Sequence, residues 1–173
     1  MGNEVCAIWV LDESTNKKLN DIRKALDLFG IEYSPIYGHI TFSYISNVDV
    51  NEIIQYTKKF VTDKRAFHIN CSALALLTTK CIACIPSFSA ELYEYFKEYH
   101  QEYDSYCNVW TSASQGMWLP HISLYSSEKD DLGAFINEMS KKFIQFTGKV
   151  SRLELSIVNE NDFNIVYSHD LRE

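Results

Sequence analysis

A chain of 173 residues, 46% hydrophobic and 23% charged, has the composition of an ordinary soluble globular protein with a sizeable core. Its net charge of −7 tells against a broad basic face following a long nucleic-acid backbone, although a small pocket gripping one phosphate stays compatible with it. No apolar run approaches the ~20 residues of a membrane helix, so no membrane partner is expected.

The opening, "MGNEVCAIWVLDES", lacks the features of a secretory signal, and Met1-Gly2 lacks the Ser/Thr that myristoylation requires. Residues 4–11 read as a short apolar strand. A helical pattern over about 14–29 follows, with Leu19, Ile22, Leu26 and Phe29 on one face and Gly30 placed to end it. "GHITFSYI" (38–45) is a strand, and Asp49 with Glu52 then opens a second helix that buries Ile53, Ile54, Phe60 and Val61. Residues 65–78 and 80–86 form two strands joined by a tight turn. Ser87 to about Tyr103 is helical, striped by Leu92, Phe96, Tyr99 and Tyr103.

The stretch 104–118 has a weak pattern and is the expected mobile substrate-access segment. "LPHISLYS" (119–126) is a strand, Ser127 with Asp130 is placed to cap a further helix, and "KVSRLELSIVN" and "FNIVYS" close the chain as two strands with a turn between. Strand–helix–strand–strand therefore occurs twice, over about 38–86 and 119–168, within a single domain spanning 1–173.

Five cysteines in a chain without a signal peptide read as reduced thiols, which points to the cytoplasm. Cys81 and Cys84 form the only CxxC. No second ligand pair stands at metal spacing, and a strand points residues three apart to opposite faces, so they read as small buried side chains and no metal is expected.

The two repeats share one tetrapeptide at the same place. His39-Ile40-Thr41-Phe42 and His121-Ile122-Ser123-Leu124 both read His, apolar, hydroxyl, apolar, and strand alternation sets each hydroxyl on the same face as its histidine. A single strand histidine is more often structural than catalytic; two at matching positions of a repeat reverse those odds. His68, His100 and His169 have no such support and read as structural or solvated.

These paired motifs, with Pro120 before the second, resemble those of the two-histidine (2H) phosphoesterase superfamily, which includes 2'-5' RNA ligase-like proteins and cyclic nucleotide phosphodiesterases. The family signature is two H-x-[ST]-x motifs with apolar x, and all eight positions match. The resemblance implies an α+β, bilobal duplicated fold, with two antiparallel sheets lining a central cleft and helices outside. It implies His39, Thr41, His121 and Ser123 as the catalytic set, with His121 favoured as base and His39 as acid. Imidazoles suit proton transfer on both sides of phosphorus at neutral pH, and the hydroxyls suit donation to the non-bridging oxygens. No cofactor and no metal are implied. The expected substrate is a small cyclic nucleotide or an RNA end.

Around the motifs, Ser43 and Tyr125 either line the cleft and bind substrate or satisfy neighbours. Trp118, with Trp110, Tyr37 and Tyr44, either stacks a base or belongs to core and rim. Lys80 and Arg152 are either phosphate partners or solvated charges. The leading function is a metal-independent phosphodiesterase hydrolysing 2',3'-cyclic phosphate ends, small cyclic phosphates or 2'-5' linkages. The alternatives are a 2'-5' RNA ligase, a nucleotide or RNA binder without turnover, and an interaction domain with vestigial histidines.

Overall fold

The computed structural model describes residues 3–159 and 162–173. The turn expected between the last two strands falls on 160–161 and, like the expectations for Met1 and Gly2, lies outside the described residues. Strand β1 (Asn3–Leu11) buries Val5, Ala7, Trp9 and Leu11. Helix α1 (Glu13–Arg23) starts where the Asp12 carboxylate accepts from Thr15 N at 2.9 Å. The expected single helix tightens after Arg23 into a 3-10 turn, Lys24–Phe29, that ends at Gly30 with φ 67°. Three residues per turn move Phe29 off the buried stripe, and its ring rests on Phe135 at 4.4 Å instead.

The remaining elements are β2 (His39–Val48), α2 (Val50–Val61), β3 (Phe67–Leu77), β4 (Cys81–Pro86), α3 (Ala90–Tyr103), β5 (Ile122–Ser126), α4 (Leu132–Lys142), β6 (Phe146–Asn159) and β7 (Asp162–Asp170). Asp49 caps α2 through Asn51 N, and Ser89 caps α3. Asp131, not the expected Ser127 and Asp130 pair, caps α4. Ser127 Oγ instead accepts from Lys129 N and Asp130 N and closes a small turn before the helix.

All strand pairings between these elements are antiparallel, in the order β2-β1-β6-β3-β4-β5, with β7 on the β3-facing edge of β6. This single seven-stranded sheet replaces the two sheets expected from sequence. Strand β6 is long enough to serve both halves: Phe146–Val150 pairs with β3, and Val150–Val158 pairs with β1. The repeat is also larger than the sequence suggests. It runs β1-α1-β2-α2-β3 and then β4-α3-β5-α4-β6, and exchanging the two halves turns the strand order into its own reverse. Each motif strand therefore lies at one end of the order, hydrogen-bonded to the strand that opens its own half.

In a flat sheet those end strands would stand roughly 24 Å apart, five spacings of about 4.8 Å. They instead approach within 8 Å between Cα atoms. Curvature of the sheet thus brings β2 and β5 together. Behind β2 sits an aromatic core in which Phe42 stacks on Trp9 at 4.5 Å and meets Tyr99 edge-on at 4.9 Å. The apolar positions of the first motif, Ile40 and Phe42, are fully buried there.

The segment 104–118, expected to be mobile, is pinned along β2. Cys107 bridges Ile45, Asn108 N donates to the Tyr44 carbonyl at 2.9 Å, and Tyr44 N donates to Thr111 Oγ1 at 3.1 Å. The Asn108 side chain in turn accepts from Trp110 N, Thr111 N and Thr111 Oγ1. These bonds cover an edge that would otherwise offer unpaired backbone groups. Asn108→Ala is expected to release the segment, raising its limited-proteolysis rate at least about tenfold while β1 and β6 keep their amide protection. Unchanged cleavage would show that the side chain does not hold the loop.

Candidate active site

The first motif histidine is set by its neighbours in the chain. Gly38 is squeezed against α1, so that a Cβ there would collide with Asn16 Oδ1; its N–H donates to the same oxygen at 2.9 Å. Leu11 N donates to the Gly38 carbonyl at 3.0 Å. His39 leaves this clamp with its Nδ1–H donating to the Tyr37 carbonyl at 2.8 Å. His121, following Pro120, has its Nδ1–H donating to the Leu119 carbonyl at 2.9 Å.

Both rings therefore bond the carbonyl two residues back. A carbonyl only accepts, so the proton of each neutral ring sits on Nδ1 and the lone pair on Nε2. Among the described residues neither Nε2 has a hydrogen-bond partner, and both side chains are half-buried.

The match continues along the strands. Phe42 has no partner in β1, because Ile8 faces Thr41 and Ala7 faces Ser43; Leu124 has none in β4, because Ala83 faces Ser123 and Ile82 faces Tyr125. Each motif thus carries a bulge at its fourth residue, a device that re-aims the side chains beside it. The hydroxyls also share a neighbour type. Cys81 Sγ–H donates to Ser123 Oγ at 3.6 Å, and Thr41 is hydrogen-bonded to Cys6, whose thiol burial pushes up to about 11. Cys81, expected with Cys84 to be a small buried side chain, is instead half-buried beside Ser123, and Cys6 lies in no motif that would single it out. They occupy equivalent places, two residues before the partners of Thr41 and Ser123.

The segment that leads into the second motif reaches the first. Trp118 Nε1–H donates to the Thr41 carbonyl at 3.0 Å, and its ring stacks on Phe96 at 3.8 Å and 7°. Trp118, three residues before His121, thus braces the lead-in to β5 against β2. Buried and with one face covered, it has no open face for a nucleobase, contrary to the stacking role offered by its position in the sequence.

Ser43 also departs from expectation. The bulge at Phe42 breaks the alternation, so Ser43 turns inward, is fully buried and meets Cys107 Sγ at 3.4 Å. Tyr125 commits its hydroxyl to Asp130 Oδ2 at 2.7 Å. Of the weaker candidates, Trp110 is 63% exposed, Tyr44 bonds Glu4, and Lys80 pairs with Glu128.

Behind His39, Tyr37 OH donates to the buried Glu154 carboxylate at 2.8 Å and accepts from Arg152 Nη2 at 2.7 Å. Arg152 Nε reaches Glu154 Oε1 at 2.8 Å, so this arginine is neutralised rather than solvated. A cavity of about 970 Å³ opens beside this cluster, bounded by Asn16, Asn20, Tyr37 and Arg152 but by neither motif histidine.

The architecture as a whole, an antiparallel sheet of two exchangeable halves with a His-apolar-hydroxyl-apolar strand at each end, is the 2H phosphoesterase fold. Escherichia coli LigT in its apo form is similar over 100% of this chain and 99% of its own, with a TM-score of 0.61 at 8% identity. TT0787 of Thermus thermophilus is similar over 98% of both chains (TM-score 0.61, 12% identity), and Kluyveromyces marxianus Usb1 over 99% and 98% (TM-score 0.51, 10% identity). No protein-family model and no curated protein sequence matches the chain.

Proposed function

We propose that the chain is a 2H phosphoesterase: a metal-independent phosphodiesterase acting on 2',3'-cyclic phosphate ends, small cyclic phosphates or 2'-5' linkages. The observation that carries this reading is the matched setting of His39 and His121, each with Nδ1–H tied to a carbonyl two residues back and Nε2 without a partner among the described residues. In the proposed mechanism, β2 and β5 frame a cleft in which one phosphorus lies between the two Nε2 atoms. His121, entering as the neutral ring, takes the proton of the attacking water on Nε2, and His39, entering as the imidazolium with a second proton on Nε2, passes that proton to the leaving ribose oxygen. Thr41 and Ser123 donate to the non-bridging oxygens as charge grows on them.

A small nucleotide is the favoured ligand. LigT, similar in fold, has been solved in complex with 3'-AMP and with ATP, and the acidic balance of this chain suits a small substrate over a long RNA. The test incubates the protein with 2',3'-cyclic mononucleotides, ADP-ribose 1'',2''-cyclic phosphate and 2'-5' oligoadenylates, with and without chelator. Product formed equally in both conditions is the expected result. Thermal stabilisation without product would make the protein a nucleotide binder, and neither effect would overturn the reading. A 2'-5' RNA ligase would run the same proton transfers in reverse, and joining of 2',3'-cyclic and 5'-hydroxyl ends would identify it.

Thr41→Val and Ser123→Ala are each expected to lower kcat about 10²-fold with little change in KM, since their donation strengthens as the transition state forms. A loss confined to KM would assign the hydroxyls to ground-state binding.

A further inference from the structure

The helix that supports Trp118 ends in a group of side chains that the proposed chemistry does not use. His100 lies in the last turn of α3, Asp104 caps that helix, and Cys107 ends the short 3-10 turn that follows. A spacing of four and then three residues puts them on one face of a helical path. One ligand atom from each, imidazole nitrogen, carboxylate oxygen and thiol sulfur, lies within 4.8 Å of the others.

The imidazole supplies an independent sign that something belongs there. His100 is only 5% exposed, and its Nδ1–H donates to the Phe96 carbonyl at 2.7 Å. The neutral ring has no second N–H, so Nε2 holds a lone pair. That atom is buried and has no hydrogen-bond partner among the described residues. The backbone of Thr111 also approaches the ring. A carboxylate, a thiol and the Thr111 main chain thus lie near the ring, and among the described residues none donates a hydrogen bond to Nε2. A buried acceptor among acceptors is left unsatisfied until a donor or a cation fills the space, and a cation would satisfy all three groups at once.

We propose that His100, Asp104 and Cys107 form a structural zinc site, with the Thr111 carbonyl or a water as fourth ligand. One nitrogen, one oxygen and one sulfur suit a borderline ion such as Zn²⁺ better than Mg²⁺ or Ca²⁺, and three ligands at about 2.0–2.3 Å leave room to complete a tetrahedron. On binding, the Cys107 S–H bond breaks, its proton leaves to solvent, and the sulfur electron pair forms the bond to zinc. The surroundings already orient the ligands. Asp104 accepts from Ala113 N at 2.6 Å, Ser114 N at 3.0 Å and Ser112 Oγ at 3.1 Å, and Ser43 Oγ is placed to donate to the Cys107 thiolate. The ion would clamp the end of α3 to the segment that covers the free edge of β2. It stabilises the first motif strand and takes no part in the reaction.

The test titrates the metal-free full-length protein with Co²⁺ and then Zn²⁺. One equivalent of cobalt giving a thiolate charge-transfer band, bleached by zinc, is expected, with a rise in melting temperature on zinc binding. Cys107→Ser should lose both the band and the thermal shift, whereas Cys81→Ser should keep both. If Cys107→Ser fails to fold by circular dichroism, Asp104→Asn serves in its place and should weaken zinc at least about tenfold. No cobalt band in the folded wild-type chain would overturn the site, as would a band that survives Cys107→Ser or zinc affinity unchanged in Asp104→Asn. All readouts are independent of phosphodiesterase turnover, so the failure of one proposal leaves the other standing.

Discussion

His39→Ala and His121→Ala are each expected to lower kcat about 10³-fold while the protein stays folded. Removing one of two positioned proton-transfer groups costs about 10²–10⁴-fold, and here each group is held by a single bond to a nearby carbonyl. Both side chains are half-buried at the start of their strands, outside the aromatic core, so truncation removes about 1 kcal/mol of hydrogen bonding and little packing. For a chain of this size that corresponds to a melting shift of about 2–4 °C. The double variant should lose little more than either single one, because the two rings act as a unit on one phosphorus. The measurement is kcat on 2',3'-cyclic mononucleotides with chelator present, beside thermal unfolding followed by circular dichroism. Full activity in either variant would end the two-histidine mechanism, and loss of the fold would reassign that histidine to structure.

The second large effect falls on a residue that touches no reacting atom. Trp118→Ala should destabilise the protein by about 3–5 kcal/mol, the usual cost of truncating a buried aromatic. The change removes the stack on Phe96, the edge contact with Phe88 and the bond to the Thr41 carbonyl together. Trp118→Phe separates these parts. It keeps a ring against Phe96, gives up the N–H, and should cost about 1–2 kcal/mol, leaving the Thr41 carbonyl without its donor. In that variant kcat should fall more than stability explains, because the bond ties the lead-in to His121 to the main chain of Thr41. Chemical denaturation with a constant m-value, and kcat on the same preparations, check both statements. Trp118→Ala with wild-type stability would mean that the brace is not made in solution, and Trp118→Phe with wild-type kcat would mean that it does not position Thr41.

Local physics determined much of this protein from the order of its residues. The apolar faces of β1 and α2, the cap Asp49, the stop at Gly30, and two matching tetrapeptides each followed by a helix all depend on neighbours within a few positions, where propensity and periodicity act. That was enough to single out His39, Thr41, His121 and Ser123 as the candidate set and to anticipate the fold of the 2H phosphoesterases.

What the sequence left open are contacts between distant parts of the chain. Whether β6 joins two sheets into one depends on a long strand finding different partners along its length, and no local signal encodes a partner. The bulges at Phe42 and Leu124 arise from register against β1 and β4, and a one-residue slip in register reverses which face a side chain takes. That is why Ser43 is buried although simple alternation places it beside Thr41. Cys6 and Cys81 reach the motif hydroxyls only through the pairing of β1 with β2 and of β4 with β5, and Trp118 reaches the Thr41 carbonyl only when the folded sheet brings its two ends together. Hydrophobic pattern sets which faces are buried; tertiary packing alone decides which polar atoms are left facing one another.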